Sequence, residues 1–520
     1  MSRLKLSSKT NGIMLSYVHF ALNAILSIVL SSFVLRVIGK TNYGVYQSMT
    51  AFITYLVLLE FGMSTLMTRN ISLLKKDGTD SIDVNKNVST IWTATIILAA
   101  IMFALLVSFY FLIPSIYSNS FTNEQIVLGK RIFIFAGINL VTTFLTSTLN
   151  GLVLAYEKYI FEKLLGTIKL ILRSILIIAL LSIRADIMLL VIVDFSLGLL
   201  VFTITLLYCL FKFKAKLTFK YFDKTIIRFA APLAIAMLIQ GLVNTANTVV
   251  DKFLISIMMT PEDVSIYSIT MLIFNMYSSV GTLPNTLFIP SIAKNVKNNI
   301  VGHEFTKTLV QPCRLNVIIS GVIGFGFILV GRQFITLVYG ADYLESWLYS
   351  LVIIIPLFFY LTNAIMAHVL TLYNKRQMMA YITLVATAIN IGLTIFAIKW
   401  IGMFGAAMAT AVSITIQIIS LNIYYKKRIG ISIFYLFKEA YKGIIPALAL
   451  SFAFVFPIIQ RIPRNLYSFL IGGSLFVVLF LTSFVLFGAN QKEKEFINKL
   501  KKRFGKPKHQ EKNKNESSVD

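Results

Sequence analysis

Val88-Ser-Thr-Ile-Trp-Thr-Ala-Thr-Ile-Ile-Leu-Ala-Ala-Ile-Met-Phe-Ala-Leu-Leu-Val-Ser-Phe-Tyr-Phe-Leu112 contains no charged residue. At 1.5 Å per residue the run makes a helix of ~37 Å, enough to cross the ~30 Å hydrocarbon core of a bilayer. An amphipathic helix of a soluble domain would carry a charged face along such a length, and this one carries none. The segment therefore reads as a transmembrane helix, and it sets the template for the rest of the chain.

Runs of the same kind recur on both sides of it. They predict helices at Asn11–Ile38, Val45–Met67, Val88–Leu112, Leu128–Val153, Leu164–Ser182 and Ile187–Phe211. A second block follows at Phe229–Met258, Ser265–Pro290, Leu315–Val330, Leu348–Leu372, Ala380–Trp400 and Phe404–Tyr424, with two more helices near Gly443–Ile459 and Leu466–Phe487. The expected fold is an all-α integral membrane protein of about 14 helices. Composition agrees: 57% of the 520 residues are apolar and 13% are charged, a balance that a polar surface facing water does not allow.

The formal charge of +26 acquires its meaning from position. With the N-terminus in the cytoplasm, cytoplasmic segments hold about 36 of the 48 Lys and Arg, external loops about 8 and helix interiors about 4. This is the positive-inside pattern, and it predicts two cytoplasmic termini. The clusters Lys212–Lys224 and Lys426–Arg428 and the tail Lys492–Lys514 read as topology determinants that touch anionic membrane lipids, in preference to nucleic acid. Within the tail, Phe496, Ile497, Leu500 and Phe504 share one face of a surface-lying amphipathic helix, and composition beyond His509 predicts disorder. The first helix is too long for a signal-peptide core, so Met1–Thr10 is expected to remain as a basic lead.

The two six-helix blocks share a layout. Each has a long loop after its second helix (Arg69–Asn87; Ser291–Arg314), and the exit of the fourth reads Val153-Leu-Ala-Tyr-Glu-Lys158 in one and Val369-Leu-Thr-Leu-Tyr-Asn-Lys375 in the other. Six crossings return the chain to its starting side, so the blocks form parallel repeats, an arrangement of transporters that rock around a central cavity. The expected division is 1–224 and 225–424 for the two bundles, 425–488 for the last two helices and 489–520 for a basic tail.

Catalytic machinery is missing from this pattern. Gly39-Lys40-Thr41 mimics the end of a phosphate-binding loop, but position 34 is Val34 where the loop needs glycine. The short external loops leave no room for a catalytic domain, no metal cluster is evident, and Cys209 and Cys313 lack partner spacing. We therefore expect no enzyme. What remains is charge inside helices, which is costly there and usually faces a bundle interior or a wet cavity. The acids are Glu60, Asp194 and Asp251; the bases are Lys169, Arg173 and Lys252, with Arg36, Arg69 and His368 nearer helix ends. Lys169 and Arg173 lie four apart on one face, and Asp194 sits at a matching depth on the next helix, within reach of an ion pair. That pair fits a structural role and a coupling role alike, and so does Glu60. Asp251-Lys252 sits near a helix end, where it could snorkel.

The segment Leu35-Arg36-Val37-Ile38-Gly39-Lys40-Thr41-Asn42-Tyr43-Gly44-Val45-Tyr46, followed by Glu60-Phe61-Gly62 and Arg69-Asn70-Ile71-Ser72, resembles the opening of bacterial polysaccharide flippases. These export O-antigen, capsule and exopolysaccharide within the MATE-like multidrug/oligosaccharidyl-lipid/polysaccharide exporter superfamily. Phe229-Ala-Ala-Pro232 leading to Asp251, and Gly402-Met-Phe-Gly405-Ala406-Ala407, resemble the start and a late turn of that family's second half. The resemblance implies a bacterial plasma-membrane protein that moves an undecaprenyl-pyrophosphate-linked oligosaccharide outward by alternating access. The drive it implies is an ion gradient, with H+ or Na+ as the coupling cation, or removal of the product, and not bound ATP; a polysaccharide polymerase and chain-length machinery are candidate partners. Arg36, Arg69, Lys169, Arg173 and Lys252 would then bind the pyrophosphate, while Glu60, Asp194 and Asp251 would couple an ion or hold structure. A drug or metabolite exporter of the same fold, a membrane-embedded polymerase, and a flippase for peptidoglycan or teichoic acid precursors are the competing readings.

Overall fold

Every regular segment among the described residues is helical, as lipid demands of backbone that must satisfy its own N–H and C=O groups. The computed structural model describes residues 22–60, 62–76, 81–219, 221–228, 232, 241, 250–373, 375–462, 465–491 and 493–495. The chain is an all-α, multi-pass membrane protein. Its helices begin with α1 (Leu22–Ile38), α2 (Lys40–Leu56), α3 (Met63–Lys76), α4 (Ser81–Tyr117), α5 (Asn123–Ala155), α6 (Tyr159–Ile183) and α7 (Ile187–Phe213). They continue as α8 (250–258), α9 (Pro261–Thr282), α10 (Asn285–Lys297), α11 (Gly302–Val338), α12 (Glu345–Thr362) and α13 (Ile365–Leu372). The last are α14 (Arg376–Tyr424), α15 (Ile433–Tyr441), α16 (Ile444–Gln460) and α17 (Leu466–Ser483).

Among the described residues nine helices are long and apolar enough to cross a bilayer, and the bent pair α15–α16 adds a tenth. One of the nine, α14, holds two expected helices joined at Gly402, whose φ of 61° only glycine adopts without strain. The expected seventh helix, Phe229–Met258, lies mostly outside the described residues, as do the amphipathic tail segment and the basic lead.

Three predicted single helices are broken. Val45–Met67 becomes α2, a 3₁₀ turn at Val57–Glu60, and α3, with Gly62 at φ 66° ending the turn. Ser265–Pro290 breaks at Leu283–Pro284, where proline lacks the N–H that would continue α9. Leu348–Leu372 breaks at Asn363, whose side-chain amide donates to Asn422 Oδ1 at 2.9 Å. The two long loops shrink as helices extend into them: α3 runs to Lys76 and α4 starts at Ser81, and α10 and α11 leave only 298–301.

Contacts divide the chain into two units. The first comprises Met1–Met276, Ile335–Pro356 and Lys375–Leu421. Its centre is α5, which packs on α2, α3, α4, α6 and α7 and starts in a capping box between Thr122 and Gln125. The buried hydroxyls of Thr142 and Thr146 in α5 donate to carbonyls of the preceding turn, Ile138 O at 2.9 Å and Thr142 O at 2.7 Å, so they are buried at little cost. The lipid-facing surface is apolar, with Phe111, Ile183 and Phe211 all exposed.

The second unit comprises Tyr277–Phe334, Leu357–Asn374 and Asn422–Asp520. Its organising residue is Arg314 on α11. The guanidinium donates to both oxygens of Glu493 at 2.9 and 3.0 Å, to the carbonyls of Glu439 and Lys442 at 2.9 Å each, and to that of Gly488 at 2.8 Å. One side chain thereby ties α11 to the ends of α15 and α17.

Candidate functional site

The ion pair expected between α6 and α7 is present. Arg173 Nε and Nη2 donate to the two oxygens of Asp194, the second at 2.9 Å, in the bidentate geometry that suits guanidinium and carboxylate. Lys169, one turn before Arg173, lies within electrostatic reach of both members. Tyr43 and Tyr46 of α2 face Arg173 closely enough to feel its charge. Further along the same face, Gln47 donates through Nε2 to Tyr43 Oη at 2.6 Å and accepts from Lys252 Nζ at 3.2 Å. Two of the five predicted phosphate-binding cations, Arg173 and Lys252, thus meet one polar face of α2, and a third, Lys169, stands beside Arg173 and its paired acid Asp194.

Asp251, adjacent to Lys252, is not a snorkelling residue: it is 2% exposed. Its carboxylate accepts from Tyr267 Oη at 3.0 Å, from Thr394 Oγ1 at 3.1 Å and from the Thr410 hydroxyl, and Asn390 turned about its amide donates at 3.0 Å. Side chains from α8, α9 and both limbs of α14 converge here. Neutral donors can hold a carboxylate as an anion in such a place. Rotated to present their lone pairs, the same hydroxyl, phenol and amide oxygens are the hard ligands that alkali and alkaline-earth cations take.

The remaining predicted residues lie apart from this group. Glu60, in the 3₁₀ turn after α2, accepts from the Ser147 hydroxyl of α5. Arg36 donates to the Leu337 carbonyl, and Arg69 is exposed on α3. His368 lies on α13, half-buried.

Arg36 belongs instead to a closure within the first unit, at the end that carries Gly39. There the Ser31 and Tyr339 hydroxyls lie 3.4 Å apart, the Ser32 hydroxyl donates to Val338 O, and that of Thr41 donates to Glu262. Lys40 Nζ stands 5.8 Å from the Tyr343 ring centroid, and the hydroxyls of Tyr117 and Ser256 are 3.3 Å apart. Gly44 packs so tightly on α9 that a Cβ there would fall 1.8 Å from the Pro261 carbonyl oxygen.

Tyr43, Tyr46, Gln47, Tyr267, Asn390, Thr394 and Thr410 carry the geometry of these sites without having been singled out as site residues in the sequence. The available signal was spacing: Asn390 and Thr394 are polar residues one turn apart on a mostly apolar limb of α14, whereas Tyr43 and Gln47, also one turn apart, lie among the other polar residues of α2. No group of three or more His, Cys, Asp and Glu able to hold a metal occurs among the described residues.

Comparison with known proteins adds the following. A family model described as "Polysaccharide biosynthesis protein" matches residues 8–296. No curated protein matches the chain. Among solved structures, the lipid II flippase MurJ in an inward closed conformation aligns with a TM-score of 0.71 at 17% identity, covering 91% of this chain and 98% of its own. An inward-facing multidrug resistance MATE family transporter of the MOP superfamily aligns with a TM-score of 0.61 at 12% identity, covering 80% and 96%. The MATE multidrug transporter DinF-BH, solved as a ligand complex, gives 0.55 at 12%, covering 81% and 96%. At these identities the likeness is one of fold.

Proposed function

The chain belongs to the polysaccharide biosynthesis protein family, and from that premise we propose that it is a flippase for an undecaprenyl-pyrophosphate-linked oligosaccharide, moving the repeat unit from the inner to the outer leaflet of a bacterial plasma membrane. The observation that carries the proposal is the cationic group around α2. Lys169, Arg173 and Lys252 stand against Asp194, paired to Arg173, and Asp251, next to Lys252 in the chain, which leaves an excess of one positive charge in a membrane interior where isolated charge is disfavoured. A pyrophosphate is the kind of ligand that compensates such an excess, through charge-assisted hydrogen bonds to a guanidinium and two ammonium groups. The prenyl tail needs no polar cavity and stays in lipid.

In this reading the closure at Gly39 is the external gate in its shut state, and the two blocks, residues 1–224 and 225–424, are the bodies that part there in the opposite state. Arg36 then serves the gate, by its bond to Leu337 O, more than the cargo. Asp251 is the coupling site: H+ or Na+ bound among Tyr267, Asn390, Thr394 and Thr410 would change the charge next to Lys252 and so the hold on the cargo. The chain performs no covalent chemistry in this scheme, and a polymerase and its chain-length partners act on the delivered unit.

Deletion of the gene tests the proposal. Loss of surface polymer with complete repeat units accumulating in the inner leaflet is the expected result, and the same phenotype is expected when Lys169, Arg173 and Lys252 are all replaced by Gln. Single units already in the outer leaflet would identify a polymerase instead. Unchanged pools of both would shift the assignment to a drug or metabolite exporter, a reading nearer to the two MATE structures, which are named as multidrug transporters.

A further inference from the structure

Outside that site, α4 and α5 leave a lipid-facing groove between them on the side of the turn that joins them. Phe103, Val107 and Phe111 on α4 and Ile134 and Ile138 on α5 form its walls, and all five are well exposed. Gly137 on its floor lets the helices approach until a Cβ there would meet Leu106 at 3.1 Å. The space holds about 310 Å³, and from Phe103 to Phe111 it runs ~12 Å along the helix. It is long and apolar, shaped for a hydrocarbon chain.

One end of the groove is charged. Lys130, two turns into α5, places Nζ 4.9 Å from the ring centroid of Tyr110, which also lines the groove. Lys130 forms no ion pair among the described residues. The next residue, Arg131, is exposed. A lysine at this depth reaches the headgroup level by extending along its own helix, and its charge is then available to a phosphate. Apolar slot and cationic head therefore line up along one axis, tail below and phosphate above.

We propose that this groove binds an anionic phospholipid of the leaflet at which the α4–α5 turn lies, with an acyl chain between Phe103 and Phe111 and the phosphate on Lys130, Arg131 closing over it. The bound chain would rest on Phe133. That ring lies 5.3 Å from Phe109 and 6.0 Å from Phe52, and Phe52 lies 6.1 Å from Phe253, the neighbour of Lys252. Occupancy thus braces the aromatic cluster that stands behind the candidate cargo site.

The experiment uses the full chain with Trp92, Trp347 and Trp400 replaced by Phe and a single reporter, Phe111→Trp, in phosphatidylcholine bilayers doped with brominated lipid. Brominated phosphatidylglycerol is expected to quench the reporter at about fivefold lower mole fraction than brominated phosphatidylcholine, the preference that one lysine near the headgroups supplies. Lys130→Gln should erase that difference and Lys130→Arg should keep it. A reporter at Ile175→Trp, lipid-facing on α6, should show none. Equal quenching by the two lipids at Phe111→Trp, a preference that survives Lys130→Gln, or the same preference at Ile175→Trp would each overturn the proposal. Quenching by phosphatidylcholine itself reports whether each variant is folded with its reporter in the bilayer.

Discussion

Among the described residues two arginines grip a carboxylate with two donors each, and what else they touch separates them. Arg314 and Glu493 are 4% and 11% exposed, and the guanidinium spends its other donors on three backbone carbonyls at helix ends. Arg173 and Asp194 are 28% and 19% exposed, and Nη1 of Arg173 makes no hydrogen bond among the described residues. The first arginine is saturated and sealed, so its charge serves only the packing of α11 against the ends of α15 and α17. The second keeps a free donor and a neighbouring ammonium, Lys169, on a part-open face. Charge in a membrane protein is available to a ligand when its donors are not already used up.

The largest effect should come from the sealed pair. Arg314→Ala strands Glu493 and three carbonyls, and breaking a buried pair by removing one partner costs roughly 3–5 kcal/mol. We expect loss of folded protein from the membrane, measured as yield and unfolding temperature in detergent. Arg314→Lys should recover only part of it, because an ammonium cannot reach a carboxylate and three carbonyls in the fork geometry of a guanidinium. Near-normal yield for Arg314→Ala would erase the distinction between the two pairs.

For the open pair the order of effects should reverse. Arg173→Gln should cost less stability than Arg314→Ala, because Lys169 still stands within electrostatic reach of Asp194, while abolishing complementation of a deletion strain. The double variant with Asp194→Asn separates the two roles left open by the sequence. A structural pair predicts that the neutral double variant regains function, since no charge is left unpaired. A cargo-binding arginine predicts that it does not, and recovery of flipping would return Arg173–Asp194 to the class of Arg314–Glu493.

How far the sequence revealed these places follows from the cost of charge. Lys169, Arg173, Asp194 and Asp251 stood out because ionisable groups in apolar helices are rare, and their depths already allowed the Arg173–Asp194 pair. Arg314 escaped notice because it read as the last residue of a loop, whereas α11 begins at Gly302 and buries it. The breaks at 57–62, 283–284 and 363 were hidden by hydropathy windows that average over a turn, although Gly62 and Pro284 mark two of them. Neutral polar residues are harder still. Thr415 bonds only the preceding turn of its own helix, at Ala411 O, whereas Thr410 bonds Ala406 O and also Asp251, and nothing in the sequence tells the two threonines apart.

A smaller effect probes the closure near Gly39. Gly44→Val must push α2 away from the Pro261 carbonyl, since a Cβ already lies 1.8 Å from its oxygen. The protein should fold but favour the state open at that end. A cysteine at Gln47, beside the cationic group, should then react several-fold faster with an impermeant thiol reagent added outside the cell. An unchanged rate would mean that the contact at Gly44 is not the gate that screens Arg173 from that side.

The finest distinction concerns the carboxylate that has no arginine. Among the described residues Asp251 is held by neutral donors alone, so its partners can turn their lone pairs toward a cation or their protons toward the acid, and one substitution tells which they do. Tyr267→Phe removes a hydroxyl 3.0 Å from the carboxylate without changing the shape of the ring. If that oxygen ligates a coupling cation, the concentration of Na+ or H+ that half-saturates transport should rise several-fold while the unfolding temperature without the ion changes little. If the hydroxyl only solvates a structural anion, the variant loses about one charged hydrogen bond, ~1.5–3 kcal/mol, and the ion dependence stays where it was. The first outcome would set Asp251 beside Arg173 as a site whose bonds are made to be exchanged, and the second would set it beside Arg314.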